Sequence, residues 1–348
     1  MLPSANPLED IIRAEIAANG PMNVARYMAL CLTHPTYGYY TTRDPLGAQG
    51  DFTTAPEISP LFGEMIGAWL VHAWENLGAP QRFTLLECGP GRGTLMDDIL
   101  RVAKLRPDFI YAMQLHLTEA SPVLQGLQNQ LLGTYSPSYV ETVADLPEQP
   151  LFCIANEFFD ALPIRQFARD GQKWSERVIG LSETGLTFGF VPAAKQDSAE
   201  DFYETSPASQ QIWSVLCDKI KTHGGAGLMI DYGDNNGKSG NTLQAVKAHQ
   251  KVDVLQTPGE ADLTAYVDFA VMHGIASEKG LQADLATQGE FLIDLGITER
   301  LQQVIAARPD LHEDAKGAFQ RLVADDQMGQ LFKVLGVWHD DAVSLPGF

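Results

Sequence analysis

Apolar and polar positions along the chain divide it into short apolar runs and longer amphipathic stretches that alternate in the manner of strands and helices. Strands are predicted at residues 83–86, 114–119, 139–141, 151–155 and 227–233. Helical spacing is read at 7–19, stopped by Gly20-Pro21, and at 23–32 behind Asn23 as N-cap. A longer helix opens at Ser59 or Pro60 and keeps Leu61, Phe62, Met65, Ile66, Trp69 and Leu70 on one side. Further helices are predicted from Leu95, over 121–132 and over 207–223. Residues 177–191 alternate around a Glu-Thr-Gly turn and predict a β-hairpin inserted into the strand–helix series. Towards the end, Asp262 reads as the N-cap of a helix over 263–272, and 275–283 reads as a strand. Helical patterns follow at 290–307 and 314–326, and 330–337 closes the sheet. Strands alternating with helices predict an α/β fold, a doubly wound, mostly parallel sheet.

The one glycine-rich turn between a strand and a helix is Glu87-Cys88-Gly89-Pro90-Gly91-Arg92-Gly93. Glycine lets the backbone turn sharply and bring its amides close to a ligand, and the helix N-terminus behind it favours negative charge. The spacing is not the dinucleotide G-x-G-x-x-G, and no Gly-Lys-Ser/Thr follows as in a P-loop. The pattern E-x-G-x-G-x-G resembles the first motif of the S-adenosylmethionine (SAM) methyltransferases. That resemblance implies a Rossmann-like sheet, with Gly89, Gly91 and Gly93 under the methionine part of the cofactor and Glu87 near its amino end. Glu119 ends the second strand about thirty residues later, where an acid accepts hydrogen bonds from ribose hydroxyls. Asp145-Leu146, after the third strand, is placed for the adenine. A nicotinamide-dependent oxidoreductase is argued down by the glycine spacing.

The fourth strand ends at Asn156-Glu157-Phe158-Phe159-Asp160, where an amide, two carboxylates and two aromatics crowd the cofactor crevice. The alternative reading has Glu157 and Asp160 simply capping the next segment. Before the long helix, residues 34–59 are rich in Gly, Pro and aromatics without periodicity, which predicts a long ordered loop, either functional or packed on the domain by its tyrosines. The loop 234–241 reads as a lid or as a slack surface loop. With no repeat and no clear linker, 1–60 is expected to form N-terminal helices and a loop completing the site. Residues 61–348 then form the main domain, with a hairpin insertion at about 165–206 and a helical one at about 284–328.

Composition adds exclusions. The 348 residues are 45% hydrophobic, enough for a full core, and no apolar stretch is long enough to span a membrane. With 44 acids against 24 bases the net charge is −20, against nucleic-acid binding and compatible with a basic protein partner. Such a surface, with the long insertions, would suit a homodimer. The four cysteines are widely separated and the eight histidines show no paired ligand spacing, so reduced thiols and no metal are expected. The first residues resemble neither a secretory signal nor an Arg-rich transit peptide, and a cytoplasmic location is expected.

Taken together the strings resemble the MidA family, whose mitochondrial members are complex I assembly factors that methylate arginine. They are Gly38-Tyr39-Tyr40, Gly50-Asp51-Phe52-Thr53-Thr54-Ala55-Pro56-Glu57-Ile58-Ser59, the glycine loop and Asn156-Glu157-Phe158-Phe159-Asp160-Ala161-Leu162-Pro163. Asp231-Tyr232-Gly233, Pro258-Gly259 with Asp262-Leu263-Thr264 and Val267-Asp268-Phe269, and Met328-Gly329 with Leu331-Phe332-Lys333 complete them. The resemblance spans nearly the whole chain and implies a SAM-dependent protein arginine methyltransferase, in a chain that looks like a bacterial member. It implies Glu157, Asp160 and Asn156 as catalytic residues, and Gly50, Asp51, Phe52 and Thr54 closing on the cofactor. Tyr39, Tyr40, Glu57 and Phe158 are the expected substrate contacts. The two-glutamate loop common among arginine methyltransferases is here a Glu and an Asp three residues on, which leaves open a small-molecule acceptor or a SAM-binding assembly factor without turnover.

Overall fold

The structure is a computed structural model and describes residues 6–42, 53–235 and 240–348. By its internal contacts the chain divides into two compact units.

The unit containing the glycine loop draws on Thr53–Phe158, Ile212–Gly233 and Phe269–Phe348. Its sheet is built from β1 (Phe83–Cys88), β2 (Met113–Thr118), β3 (Ser138–Tyr139), β4 (Leu151–Asn156), β5 (Gly225–Asp234), β6 (Gln282–Thr287) and β7 (Phe332–Trp338). The spatial order is β3-β2-β1-β4-β5-β7-β6. Strands β3 to β5 run parallel, and β7 lies antiparallel between β5 and β6. This is a Rossmann-like arrangement whose strand order reverses between β1 and β4, the place where such sheets bind ligands. Register sharpens the point. Cys88 lies beside Thr118 on one side and Ala155 on the other, so Gly89, Glu119 and Asn156 leave neighbouring strands at one level.

β1 and β4 are buried at every position, as central parallel strands covered on both faces must be. Phe83 and Phe152 pack edge-to-face at 5.2 Å, and Phe109 and Trp74 extend the cluster. Each such side chain contributes roughly 1.5–3 kcal/mol by leaving water. The helix Pro60–Asn76 starts where expected, with the Ser59 hydroxyl accepting from the Leu61 amide. Its buried Glu64 is paired with both Arg101 and Arg300.

The other unit draws on the described residues within Met1–Phe52, Phe159–Gln211 and Asp234–Asp268. Helices Pro7–Asn19 and Val24–Thr33 form as the apolar spacing predicts, each capped by an Asn side chain (Asn6 and Asn23). The hairpin appears as Lys173–Leu181 paired with Leu186–Ala193. It belongs to an antiparallel sheet with Met22–Asn23, Arg165–Asp170 and Phe202–Thr205. A three-stranded sheet joins Gln250–Val252, Gln244–Lys247 and Asp262–Thr264. Leu8, Ile12, Tyr27, Met28, Tyr39 and Ile179 lie in this unit's own core.

Three local expectations are corrected. Asp262 does not cap a helix but opens the strand Asp262–Thr264, and its carboxylate is taken by the Tyr40 hydroxyl at 2.7 Å. The stretch 275–283 begins as helix and only its last two residues are strand: Phe269–Glu278 buries Phe269, Met272 and Ala276 at helical spacing, and Gly280, with φ 73°, turns the chain before β6 opens at Gln282. The helix expected over 290–307 is two, Gln288–Asp294 and Ile297–Ala307, parted at Gly296 with φ 88°. In each case the residue that ends or redirects the element uses a conformation or partner that periodicity does not register.

Candidate functional site

The glycine loop follows β1 in a conformation that explains its composition. Gly89, Gly91 and Gly93 have φ of 64°, 55° and 88°, a region that favours glycine. At Gly89 there is also no room, because a Cβ would lie 2.8 Å from Cδ2 of Phe158. The Gly89 amide donates to Thr118 O at 3.1 Å, tying the loop to β2. Gly93 then caps the helix Thr94–Ala103 and, having no side chain, leaves its first amides uncapped from that residue. Glu57 braces this turn, its carboxylate accepting from Thr94 Oγ1 at 2.6 Å and from Arg92 Nη1 at 3.3 Å. Glu57 therefore stands against the glycine loop, a contact that its expected role toward substrate did not anticipate.

Glu87 and Glu119 flank the loop. Glu87 is buried in β1, and burial, then the charge of Glu119, pushes its carboxyl up to about 8. Its Oε2 is buried and makes no hydrogen bond among the described residues. Burial also raises Glu119, opposed by the hydrogen bonds it receives. Its Oε1 accepts from the Ser121 amide at 2.8 Å and its Oε2 from Gln128 Nε2 at 3.2 Å. Gln128 was not singled out from the sequence. The available signal was its position between Leu124 and Leu132, four residues from each on the buried face of the helix Pro122–Leu132, where an amide demands a partner.

At the end of β4 the backbone is strained. Glu157 has φ 49°, unusual for a residue with a side chain and costly by about 1–3 kcal/mol. Its amide donates to Ile230 O of β5 at 2.9 Å. Its Oε1 accepts from the Ala55 amide at 3.0 Å and from Asn156 Nδ2 at 3.2 Å. The buried Asn156 Oδ1 has no partner among the described residues. Strand β4, the glycine loop and residues 54–57 are thus joined through Glu157, Phe158 and Glu57.

Thr54 is buried and precedes the short helix Ala55–Ile58. Asp145 is exposed, whereas Leu146 is buried and its carbonyl accepts from Lys219 Nζ at 2.8 Å. In the other unit Tyr39 is 0% exposed and packs edge-to-face on Tyr40. Tyr40, in turn, donates to Asp262. Asp160 is buried, and its carbonyl accepts from the Ala265 amide. Gly50, Asp51 and Phe52 lie outside the described residues.

The donors and acceptors on offer fit a ligand such as SAM. Three left-handed glycines turn the backbone at the switch point, and the buried oxygens of Glu87 and Asn156 that have no partner among the described residues match an ammonium or hydroxyl ligand. Residues 65–287 match the model of a family described as "Putative S-adenosyl-L-methionine-dependent methyltransferase". The chain belongs to this family. The methyltransferase is 36% identical to "Protein arginine methyltransferase NDUFAF7, mitochondrial" of Xenopus tropicalis, over 96% of this chain and 86% of that one. To the human protein of that name it is 34% identical, over 95% and 83%. A solved structure of a superfamily member from Burkholderia thailandensis, bound to S-adenosyl-homocysteine, covers 100% of this chain and 98% of its own. It superposes with a TM-score of 0.87 at 26% identity. The methyltransferase thus has the fold and the cofactor class that the glycine loop implied. Among its described residues no helix is long and apolar enough to cross a membrane.

Proposed function

We propose that the protein transfers the methyl group of SAM to an arginine side chain of a protein substrate. The observation that carries this reading is the placement of Glu157: a carboxylate in a strained backbone at the carboxyl end of β4, held by Ala55 and Asn156 beside the glycine loop. The printed names of the relatives, protein arginine methyltransferases, support the acceptor. Bound SAM supplies a methyl on a sulfonium, which passes to a guanidinium nitrogen and leaves S-adenosyl-homocysteine and a proton.

The residues divide the work. The glycine turn and the helix N-terminus behind it hold the amino-acid end of the cofactor, Glu87 faces its ammonium, and Glu119 receives the ribose hydroxyls. Arginine is a demanding acceptor, because its charge is delocalised and its lone pairs are unavailable. Glu157 takes one edge of the guanidinium fork and draws positive charge away from the attacking nitrogen. Asp160, three residues on, is the second carboxylate of the same connection. Asn156 fixes the Glu157 carboxylate, so that much of the acceleration is alignment of nitrogen with the methyl. A net charge of −20 draws a basic segment toward the protein. The acceptor protein that the MidA resemblance implies is a complex I subunit, and the product symmetric dimethylarginine. The expected bacterial cytoplasmic location and a homodimer remain part of the same reading.

The test is amino-acid analysis of proteins labelled by the purified enzyme and methyl-labelled SAM in an extract of cells lacking the gene. Label in dimethylarginine supports the reading. Label confined to another residue or to small molecules contradicts the acceptor. Tight SAM binding with no label anywhere favours an assembly factor without turnover.

A further inference from the structure

The helix Pro122–Leu132 carries a device that the cofactor reading above does not use. Gln128 is 0% exposed, yet its Nε2 reaches two acceptors at once: Gly91 O at 2.6 Å and Glu119 Oε2 at 3.2 Å. Three residues earlier, Gln125 Nε2 holds the backbone carbonyl of Glu119 at 2.8 Å. Two acceptors face one end of the Gln128 side chain, and only the donor end of an amide satisfies both. A carboxamide is the one side chain of this length that donates two hydrogens from a single uncharged nitrogen. A buried cation there would need further compensation.

We infer that Gln128 is a positioning residue for ribose recognition, spacing the Glu119 carboxylate from the glycine loop so that its oxygens meet the sugar hydroxyls. The inference rests on the cofactor reading of the glycine loop and goes beyond it by assigning a residue that touches no reacting atom. Glu119 Oε1 is tied to the Ser121 amide and Oε2 to Gln128, so the carboxylate cannot rotate without giving up a bond at each end. The Gly91 carbonyl is held by the same nitrogen, which couples the loop that carries the methionine end to the acid that meets the ribose.

The test is calorimetric titration with S-adenosyl-homocysteine and with its 2′-deoxyribose analogue. Wild type is expected to bind the analogue about tenfold more weakly, the loss of a charge-assisted hydrogen bond. Gln128→Leu is expected to bind S-adenosyl-homocysteine about tenfold more weakly and to discriminate between the two ligands by threefold or less. Gln128→Glu, the same length with an acceptor where the donor stood, should do no better. Gln128→Asn, which cannot span both acceptors, gives the same reading should the leucine variant not fold. A variant that loses affinity but keeps the full tenfold discrimination has a structural defect only, and overturns the inference. So does unchanged affinity in Gln128→Leu, or a wild type that ignores the 2′ hydroxyl. Wild type that binds no S-adenosyl-homocysteine overturns the cofactor reading itself, and the inference with it.

Discussion

The backbone amide of Ala55 donates to the carboxylate of Glu157 at 3.0 Å, joining segments 102 positions apart. Ala55 is fully buried, so its amide has no water to turn to, and Glu157 is held in a left-handed conformation to meet it. The same residue that the proposed chemistry needs is therefore one that the fold strains to place.

That strain separates stability from function. Glu157→Ala and Glu157→Gly both lose the bond to Ala55, but only glycine relaxes at φ 49°. Urea unfolding should find Glu157→Gly more stable than Glu157→Ala by about 1 kcal/mol, with both inactive. Equal stabilities would contradict a strained Glu157.

Gly89 tests the cradle. Gly89→Ala places a Cβ 2.8 Å from the Phe158 ring in a backbone that disfavours it, and should cost about 1–3 kcal/mol and most of the SAM affinity. The matched control is Gly126→Ala, within the helix Pro122–Leu132 and with nothing within 4 Å of the added Cβ. It should stabilise the protein by roughly 0.5–1 kcal/mol. Thermal melts and SAM titrations of both variants decide it.

Glu57 is the brace of the loop. Glu57→Ala removes the bonds to Thr94 and Arg92 together and should weaken SAM severalfold while costing only about 1 kcal/mol of stability, since Arg92 remains part-exposed. Retained affinity with lost arginine methylation would instead place Glu57 at the acceptor.

Glu87 makes stability depend on pH. Its carboxyl is pushed from an ordinary value near 4.5 up to about 8, chiefly by burial. Between those values the folded chain holds a proton that the unfolded chain has released, so the unfolded state binds fewer protons and stability falls as pH rises. The stabilising effect of the held proton is full below about pH 4.5 and is lost through about pH 8, at up to about 1.4 kcal/mol per pH unit. Glu87→Gln removes the proton and should show a flatter profile between pH 6 and pH 8 in denaturant midpoints. Parallel profiles would contradict the burial of an ionisable group there.

Much of the sheet was legible because β1, β4 and β5 each carry a short apolar run, and buried parallel strands read that way. The glycine loop was legible because three alternate left-handed positions leave glycines in the sequence. Tyr40 and Asp262 were harder. Their hydrogen bond spans 222 positions, and an Asp ahead of an apolar stretch looks like a cap whichever group it finally meets. Gln128 carries no chemistry in its spacing, and only burial of an amide on an apolar helix face marks it. The bond of Glu57 to Thr94 spans 37 positions and Glu57 sits in a string that reads as a site, so its place was foreseeable and its partner was not.

The most direct measurement pairs binding with transfer in one variant. S-adenosyl-homocysteine is titrated into wild type and Glu157→Gln, and both are assayed with methyl-labelled SAM in the extract lacking the enzyme. The account predicts affinities within about threefold and labelled dimethylarginine from wild type alone, a rate loss in the variant of at least about a hundredfold. A Glu157→Gln enzyme that labels arginine at the wild-type rate would contradict it.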